Sequence, residues 1–348
     1  MPLRIAYVIG GSVSLKLDYL IDSGQHPRHE YNVFLSRNDA DSISTDNISQ
    51  GRSIWAKIWT QADQPLFALA AVTHERVLKY DAVITSGEDI GIPIALGAIF
   101  DALTVPVYII THGSFFGSRK FALVCQLLRR VSTVHFLCLS DALCQRLIGL
   151  GIPADRVHNT GYGIDTGFFI PNQLEESPLI VSAGAASRDY ATLIAATDGL
   201  GVDVKIAADS AWFPHSAGLD GKELPAYVEA RSYGNYAGLR DLYARASMVV
   251  VPLQPAVHAS GYAVIAEAMA MGKAVIATRT AAPPDFIVDG ETGFFVEPGD
   301  TAGMREKIEL LLADPARAAA MGAAGRARID EQFSLDAYCR RIEAVLAG

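Results

Sequence analysis

Short apolar runs rich in β-branched residues recur along the whole chain, each followed by small or polar residues and then by a stretch with helical spacing. In the first half the strand candidates are Arg4–Ile9, Tyr31–Leu35, Ala82–Thr85, Val107–Thr111 and Thr133–Leu139. The second half repeats the rhythm with Leu179–Ser182, Val204–Ala207, Met248–Pro252 and Ala274–Thr278. Such alternation predicts an α/β chain with parallel sheets flanked by helices. Several runs end in Gly10-Gly11, Ser86-Gly87, His112-Gly113 or Ser140. Those residues fall at the C-terminal edge of the strands, where open α/β sheets bind ligands.

At 348 residues the chain is too long for one ordinary core and divides into about two domains. Gly161-Tyr162-Gly163-Ile164-Asp165 and then Pro171-Asn172 form a turn-rich stretch suited to a hinge. The expected organisation is a first Rossmann-like domain over 1–165 and a second over 166–332, facing one another across a cleft. A final amphipathic helix over Ser334–Leu346, within 333–348, is expected to return to the first domain.

Charge excludes one class of partner. Residues 1–160 hold 14 basic and 14 acidic side chains, and 161–348 hold 15 and 24. A nucleic-acid footprint needs a concentrated basic face, which this distribution lacks. The four cysteines, Cys125, Cys138, Cys144 and Cys339, show no metal or disulfide spacing and read as free thiols in a reducing cytosol. The N-terminal run Ile5–Ile9 is too short for a signal sequence. Ile90–Ile110 contains Pro93, Asp101 and Pro106, and divides into a helix and a strand rather than crossing a membrane.

The most informative window is 258–278, which begins His258-Ala259-Ser260-Gly261. Gly261 would end a loop and open a helix whose first free N–H groups come from Tyr262, Ala263 and Val264, a ready phosphate site. Glu267 follows about a turn and a half later in an otherwise apolar helix. A lone carboxylate there needs partners. Ribose hydroxyls fit, and so does a neighbouring loop that the Glu would cap.

This window is similar to the C-terminal signature of glycosyltransferase family 4, in which a Glu before Ala-Met-Ala binds the donor ribose. Four further segments follow the family's order. Gly10-Gly11 resembles its glycine loop, against donor phosphate and acceptor. Thr111-His112-Gly113 resembles its His-containing loop, beside the donor sugar. Val157–Phe169 resembles the stretch before the second domain. Asp289–Phe294 and Pro298-Gly299-Asp300 resemble the loop and turn after the signature.

Two departures stand out. The family often carries two glutamates at E-x7-E spacing; with Glu267 as the second, the first falls at Ala259, where the flanking His258 and Ser260 are the candidates to substitute. The loop after Val181-Ser182-Ala183-Gly184 usually bears an Arg and then a Lys for the pyrophosphate. Ala185 replaces the Arg, and Arg188 aligns with the Lys and keeps one cationic contact. Glu88 and Asp89 contact the acceptor or cap the next helix. Tyr233–Tyr236 lies where the family's backbone reads the nucleobase.

The resemblance implies a metal-independent, retaining GT-B enzyme with no cofactor and no metal site, using a UDP or GDP sugar and a glycan or lipid-linked acceptor. Glu267 would hold the ribose. Arg188 and the Gly261–Val264 amides would hold the pyrophosphate, with Gly184 and Ser260 also lining the donor. His112, with Gly10 and Gly11, would lie beside the transferred sugar, and Glu88 and His258 on the acceptor side. Reaction would pass through an oxocarbenium-like state on one face, in envelope or exopolysaccharide assembly. The basic helix Ser118–Arg130, with Trp55 and Trp59 near Arg52 and Lys57, fits peripheral contact with the inner face of the plasma membrane. It fits equally a helix with a buried face and solvated ends. The alternatives are a catalytically silent scaffold, motivated by Ala185 and Ala259, and a sugar-nucleotide epimerase.

Overall fold

The computed structural model describes residues 3–13, 15–98, 105–172, 174, 178–208 and 223–348. The chain forms two units, each built on a six-stranded sheet. The first comprises residues 1–19, 29–162 and 338–348, and the second 20–28 and 163–337.

The first sheet contains β1 (Ile5–Ile9), β2 (Ala40–Ser44), β3 (Ala82–Thr85), β4 (Val107–Thr111), β5 (Val134–Cys138) and β6 (Val157–Asn159). Their order is β2-β1-β3-β4-β5-β6, all parallel. Strand order reverses between β1 and β3, so a crevice opens outside their C-terminal ends. The interior strands are buried on both faces, as parallel strands covered by helices must be. The helix Glu88–Ala98 and β4 take up the Ile90–Ile110 segment, with Pro93 inside the helix. Asp101 lies outside the described residues. Among those residues no helix is long and apolar enough to cross a membrane.

One expected strand is a helix. Tyr31–Leu35 lies within the helix Glu30–Arg37, and the edge strand is instead Ala40–Ser44. Tyr31 and Phe34 stand one helical turn apart and pack on Tyr7, with ring centroids 6.5 Å and 5.6 Å away. The Asn32 side chain accepts the His29 N–H at 2.9 Å and helps start the helix.

The second sheet contains β7 (Leu179–Ala183), β8 (Asp203–Ala207), β9 (Val228–Arg231), β10 (Met248–Val251), β11 (Ala274–Thr278) and β12 (Phe294–Val296). It is again parallel, in the order β12-β11-β10-β7-β8-β9. Here the reversal falls between β7 and β10. Leu193, Val204, Met248, Ile276 and Ile308 lie fully buried in its core.

Two chain segments join the units by membership rather than by sequence. Leu20–Arg28 belongs with the second unit, where the Arg28 backbone N–H and guanidinium Nη2 both reach Asp165 at 2.8 Å. Burial works against the Asp165 carboxylate, but these donors outweigh it and hold its pKa below the usual value. The last helix, Leu335–Ala347, contributes its residues from Tyr338 onward to the first unit. There Glu343 pairs with Arg37 at 3.0 Å on both oxygens.

Candidate functional site

In the second unit, the loops leaving β7 and β10 are stitched together. Asp189 N–H donates to the Pro252 carbonyl at 3.0 Å, and Gln254 N–H to the Ser187 carbonyl at 2.9 Å. Ser187 takes a left-handed conformation, φ 55°. The stitching turns Arg188 inward, where it is buried. Its Nε donates to the Ala183 carbonyl and its Nη1 to the Ala186 carbonyl, both at 2.8 Å. The guanidinium lies against Gly184, φ 94°, where an added Cβ would stand 2.9 Å from Cζ. Tyr190 braces the same turn by donating to the Gly184 carbonyl at 2.5 Å. Burial lowers the Arg188 pKa, partly offset by Tyr190, Tyr243 and Glu267 around it.

The loop after β10 ends at Gly261, φ 77°, which caps the helix Tyr262–Ala270. The first bond of that helix runs from Ile265 N–H to the Gly261 carbonyl at 3.0 Å. The amides of Ala263 and Val264 therefore precede the first intrahelical bond. Ser260 is buried beside them, its N–H on the His258 carbonyl at 2.7 Å. Tyr262 turns into the core, where its one hydroxyl proton is shared between the carbonyls of Ala282 (3.1 Å) and Pro283 (2.9 Å).

Glu267 is 5% exposed. Its Oε2 accepts the Tyr243 hydroxyl at 2.9 Å. Burial pushes its pKa up to about 7, against the opposing pull of the Tyr243 hydrogen bond and the Arg188 charge. The bond comes from a side chain on a neighbouring helix rather than from a loop. Tyr236, whose pKa burial and Glu267 push up to about 12, completes the surroundings.

His258 lines a hollow of about 310 Å³ with Val257, Arg279, Thr280 and Pro298. The Arg279 guanidinium there is paired with Asp289 at 2.8 Å. Tyr233 sits beneath the Arg231 guanidinium, 4.4 Å from ring centroid to Cζ.

In the first unit, the crevice between β1 and β3 gathers the other expected residues. Gly10 N–H donates to the Ser86 hydroxyl at 3.2 Å, and a Cβ on Gly10 would meet Asp89 Oδ2 at 3.1 Å. Gly11 has open space where its side chain would be. Glu88 stands at the start of its helix, and its carboxylate reaches across to the loop after β4. One oxygen accepts the Gly113 N–H at 2.5 Å, and the other lies 3.5 Å from His112 Nδ1. Burial opposes ionisation of both groups, but each outweighs it for the other: the Glu88 pKa is lowered and that of His112 raised. The His112 side chain is 41% exposed, so the dyad presents a braced, partly open imidazole at the sheet's C-terminal edge.

Asp39-Ala40-Asp41 has the spacing of an Asp-x-Asp motif. It opens the edge strand β2 at the end away from these loops, with Asp41 held by Arg4 at 3.2 Å and Tyr80 at 3.1 Å. The helix Arg119–Leu128 buries Phe121, Cys125 and Leu128, yet leaves Leu123 (64%) and Leu127 (47%) exposed.

Sequence reasoning missed Tyr243 and Tyr190. Both occupy apolar-looking helical positions, where a tyrosine reads as core until the partner of its hydroxyl is known.

The family described as "Glycosyl transferases group 1" matches residues 213–314. The capsular polysaccharide biosynthesis glycosyltransferase CapM of Staphylococcus aureus is 36% identical over 89 residues, which cover 25% of this chain and 23% of CapM. The alpha-maltose-1-phosphate synthase of Mycolicibacterium smegmatis is 30% identical over 210 residues, 52% of this chain and 54% of that enzyme. The chain thus matches about a quarter to a half of the length of these relatives. Among solved structures, the Anabaena protein HepE in complex with UDP and glucose superposes with a TM-score of 0.68 at 16% identity, covering 99% of this chain and 100% of HepE. The sucrose-phosphate synthase of Thermosynechococcus elongatus gives 0.71 at 16% identity, covering 99% and 98%. Residues 213–314 are thus similar to the group 1 glycosyltransferases, and the two parallel six-stranded sheets have the GT-B fold of the solved structures.

Proposed function

We propose that the chain is a retaining glycosyltransferase that moves a hexosyl residue from a UDP or GDP sugar to a glycan or lipid-linked acceptor in envelope or exopolysaccharide biosynthesis. The bond from the anomeric carbon to the diphosphate oxygen breaks, and one from that carbon to the acceptor oxygen forms on the same face. The acceptor proton leaves with the diphosphate. One observation carries the reading: a buried carboxylate and a run of amides outside the helical ladder share one helix. Glu267 lies five residues beyond Tyr262, about 7.5 Å along the axis. That spacing suits ribose hydroxyls at the Glu and phosphate at the amides.

The developing charge on the diphosphate is met by those amides and by Arg188, so no metal is assigned. The family resemblance assigns His112, which Glu88 braces, together with Gly10 and Gly11, to the transferred sugar. CapM is named for capsular polysaccharide biosynthesis and HepE was solved with UDP and glucose, which favours a sugar nucleotide and an envelope role. The exposed Leu123 and Leu127 beside Arg119, Lys120, Arg129 and Arg130 favour peripheral contact with an anionic inner leaflet. Failure to co-sediment with phosphatidylglycerol vesicles would remove that contact.

A second reading, a silent nucleotide-binding scaffold, is favoured by Ala185 and Ala259 and by the carbonyls that occupy two Arg188 nitrogens. Thermal shift with UDP, GDP, ADP, TDP and their sugars, with and without EDTA, tests the main reading. A ligand at a hundred times its Kd adds about 2.7 kcal/mol. The expected result is a shift with one nucleotide, unchanged by EDTA and abolished in Glu267→Ala. Donor hydrolysis that also disappears in that variant excludes the scaffold; binding with no turnover on any donor supports it.

A further inference from the structure

Glu267 lies beside three polar side chains, Tyr243 and Tyr236 from the helix Tyr236–Arg245 and Arg188 from the loop after β7, and Tyr190 adjoins Arg188 and Tyr243. Tyr190 is committed to the Gly184 carbonyl, and Arg188 uses Nε and Nη1 on Ala183 and Ala186. Among the described residues, Tyr243 alone donates a hydrogen bond to the carboxylate, at Oε2. Oε1 has no hydrogen-bond partner among the described residues. A phenol has one proton to donate, so the Tyr243 bond selects which oxygen stays available.

We propose that Tyr243 is a positioning residue of the nucleotide site: its hydroxyl clamps Oε2 of Glu267 so that Oε1 is the oxygen presented to the ligand's hydroxyls. This rests on the proposed role of Glu267. The clamp has a second effect. A donor to an ionised carboxylate stabilises the charged form, and a carboxylate buried this deeply would otherwise be neutral at physiological pH. A protonated Glu267 would offer a diol a poorer acceptor. Tyr243 therefore links the geometry of the site to its charge state. Tyr243 is itself fully buried, and Glu267 and burial together push its own pKa up, so it remains a donor throughout the range.

The test is carboxyl-carbon NMR of the ¹³C-glutamate-labelled protein, with the Glu267 signal identified by its loss in Glu267→Gln. The midpoint of Glu267 is expected near neutrality in the wild type and about one to two units higher in Tyr243→Phe. Tyr190→Phe, which removes a hydroxyl from the same cluster, is expected to leave it within a few tenths of a unit. An unmoved midpoint in folded Tyr243→Phe overturns the proposal. A readout on the wild type covers the case in which that variant does not fold. The ζ-carbon of Tyr243 is expected to titrate with the Glu267 midpoint, and independence of the two overturns the proposal equally. These signals need no nucleotide, so their outcome separates from that of the function. If UDP and GDP both fail to bind while the midpoints stay coupled, the functional reading falls and the clamp stands. If one nucleotide binds, its affinity at pH 7 is expected to drop about tenfold in Tyr243→Phe and to recover as pH rises.

Discussion

Glu88 and His112 form a dyad across two strands: one carboxylate oxygen holds the Gly113 amide at 2.5 Å while the other faces His112 Nδ1 at 3.5 Å. The helix start after β3 thereby fixes the loop after β4. Glu88 is 2% exposed, so its charge depends on these donors.

The dyad makes stability depend on pH in a defined direction. Glu88 has a lowered folded pKa, so its contribution is complete above about 4.3 and is lost as pH falls through the folded value. His112 has a raised folded pKa, so its contribution is complete below about 6.5 and is lost as pH rises through the folded value. Both act together between those limits. Glu88→Gln is expected to cost about 1–2 kcal/mol in urea unfolding at pH 5.5, kept modest because the imidazole is partly solvated. By pH 9 the difference should shrink to the part owed to Gly113. A difference that is the same at both pH values would show that the His112 charge contributes nothing.

How far the sequence could be read follows from burial. β1, β3, β4, β7, β10 and β11 are buried on both faces and appear as mainly apolar runs. Edge and near-edge strands do not. Ala40–Ser44 and Val228–Arg231 face solvent on part of their length, carry Asp41 and Glu229, and resemble loops. The helix Glu30–Arg37 was hidden by Tyr31, Val33 and Phe34, whose types favour strands until Tyr7 is seen to receive them. At the site, Glu267 was legible because a lone carboxylate in an apolar helix demands a partner. Its partner was not, since only the fold brings Tyr243 across 24 residues to meet it.

Gly184→Ala tests the seat of Arg188. A Cβ there would overlap the guanidinium, and the left-handed φ of 94° adds about 1–2 kcal/mol of backbone cost. Gly199 offers a control, with φ 71° and open space around the added carbon. Gly199→Ala is expected to lose stability through the backbone alone. Gly184→Ala should lose more, and should also weaken binding of whichever nucleotide shifts the wild type by about tenfold or more. Equal losses in the two variants, with binding intact, would show that Arg188 relaxes without consequence.

Arg326 ties the far end of the Glu267 helix to the segment that enters the second unit. Its Nη1 donates to the carbonyls of Phe169 (2.6 Å) and Ala270, its Nη2 reaches the Thr166 carbonyl at 3.4 Å, and its Nε pairs with Asp330 at 2.6 Å. Ala270 is the last residue of that helix, and carbonyls there need donors and favour positive charge. Only a planar fork serves several carbonyls and a carboxylate at once. Arg326→Lys keeps the charge and loses the fork, and is expected to cost about 2–3 kcal/mol in chemical denaturation. Asp330→Asn should cost less than about 1 kcal/mol, because that carboxylate is 46% exposed and its pairing is screened. If the two substitutions cost the same, the ion pair rather than the carbonyl clamp holds the segment. If only Arg326→Lys is costly and nucleotide binding falls with it, the helix carrying Glu267 is anchored from its C-terminal end.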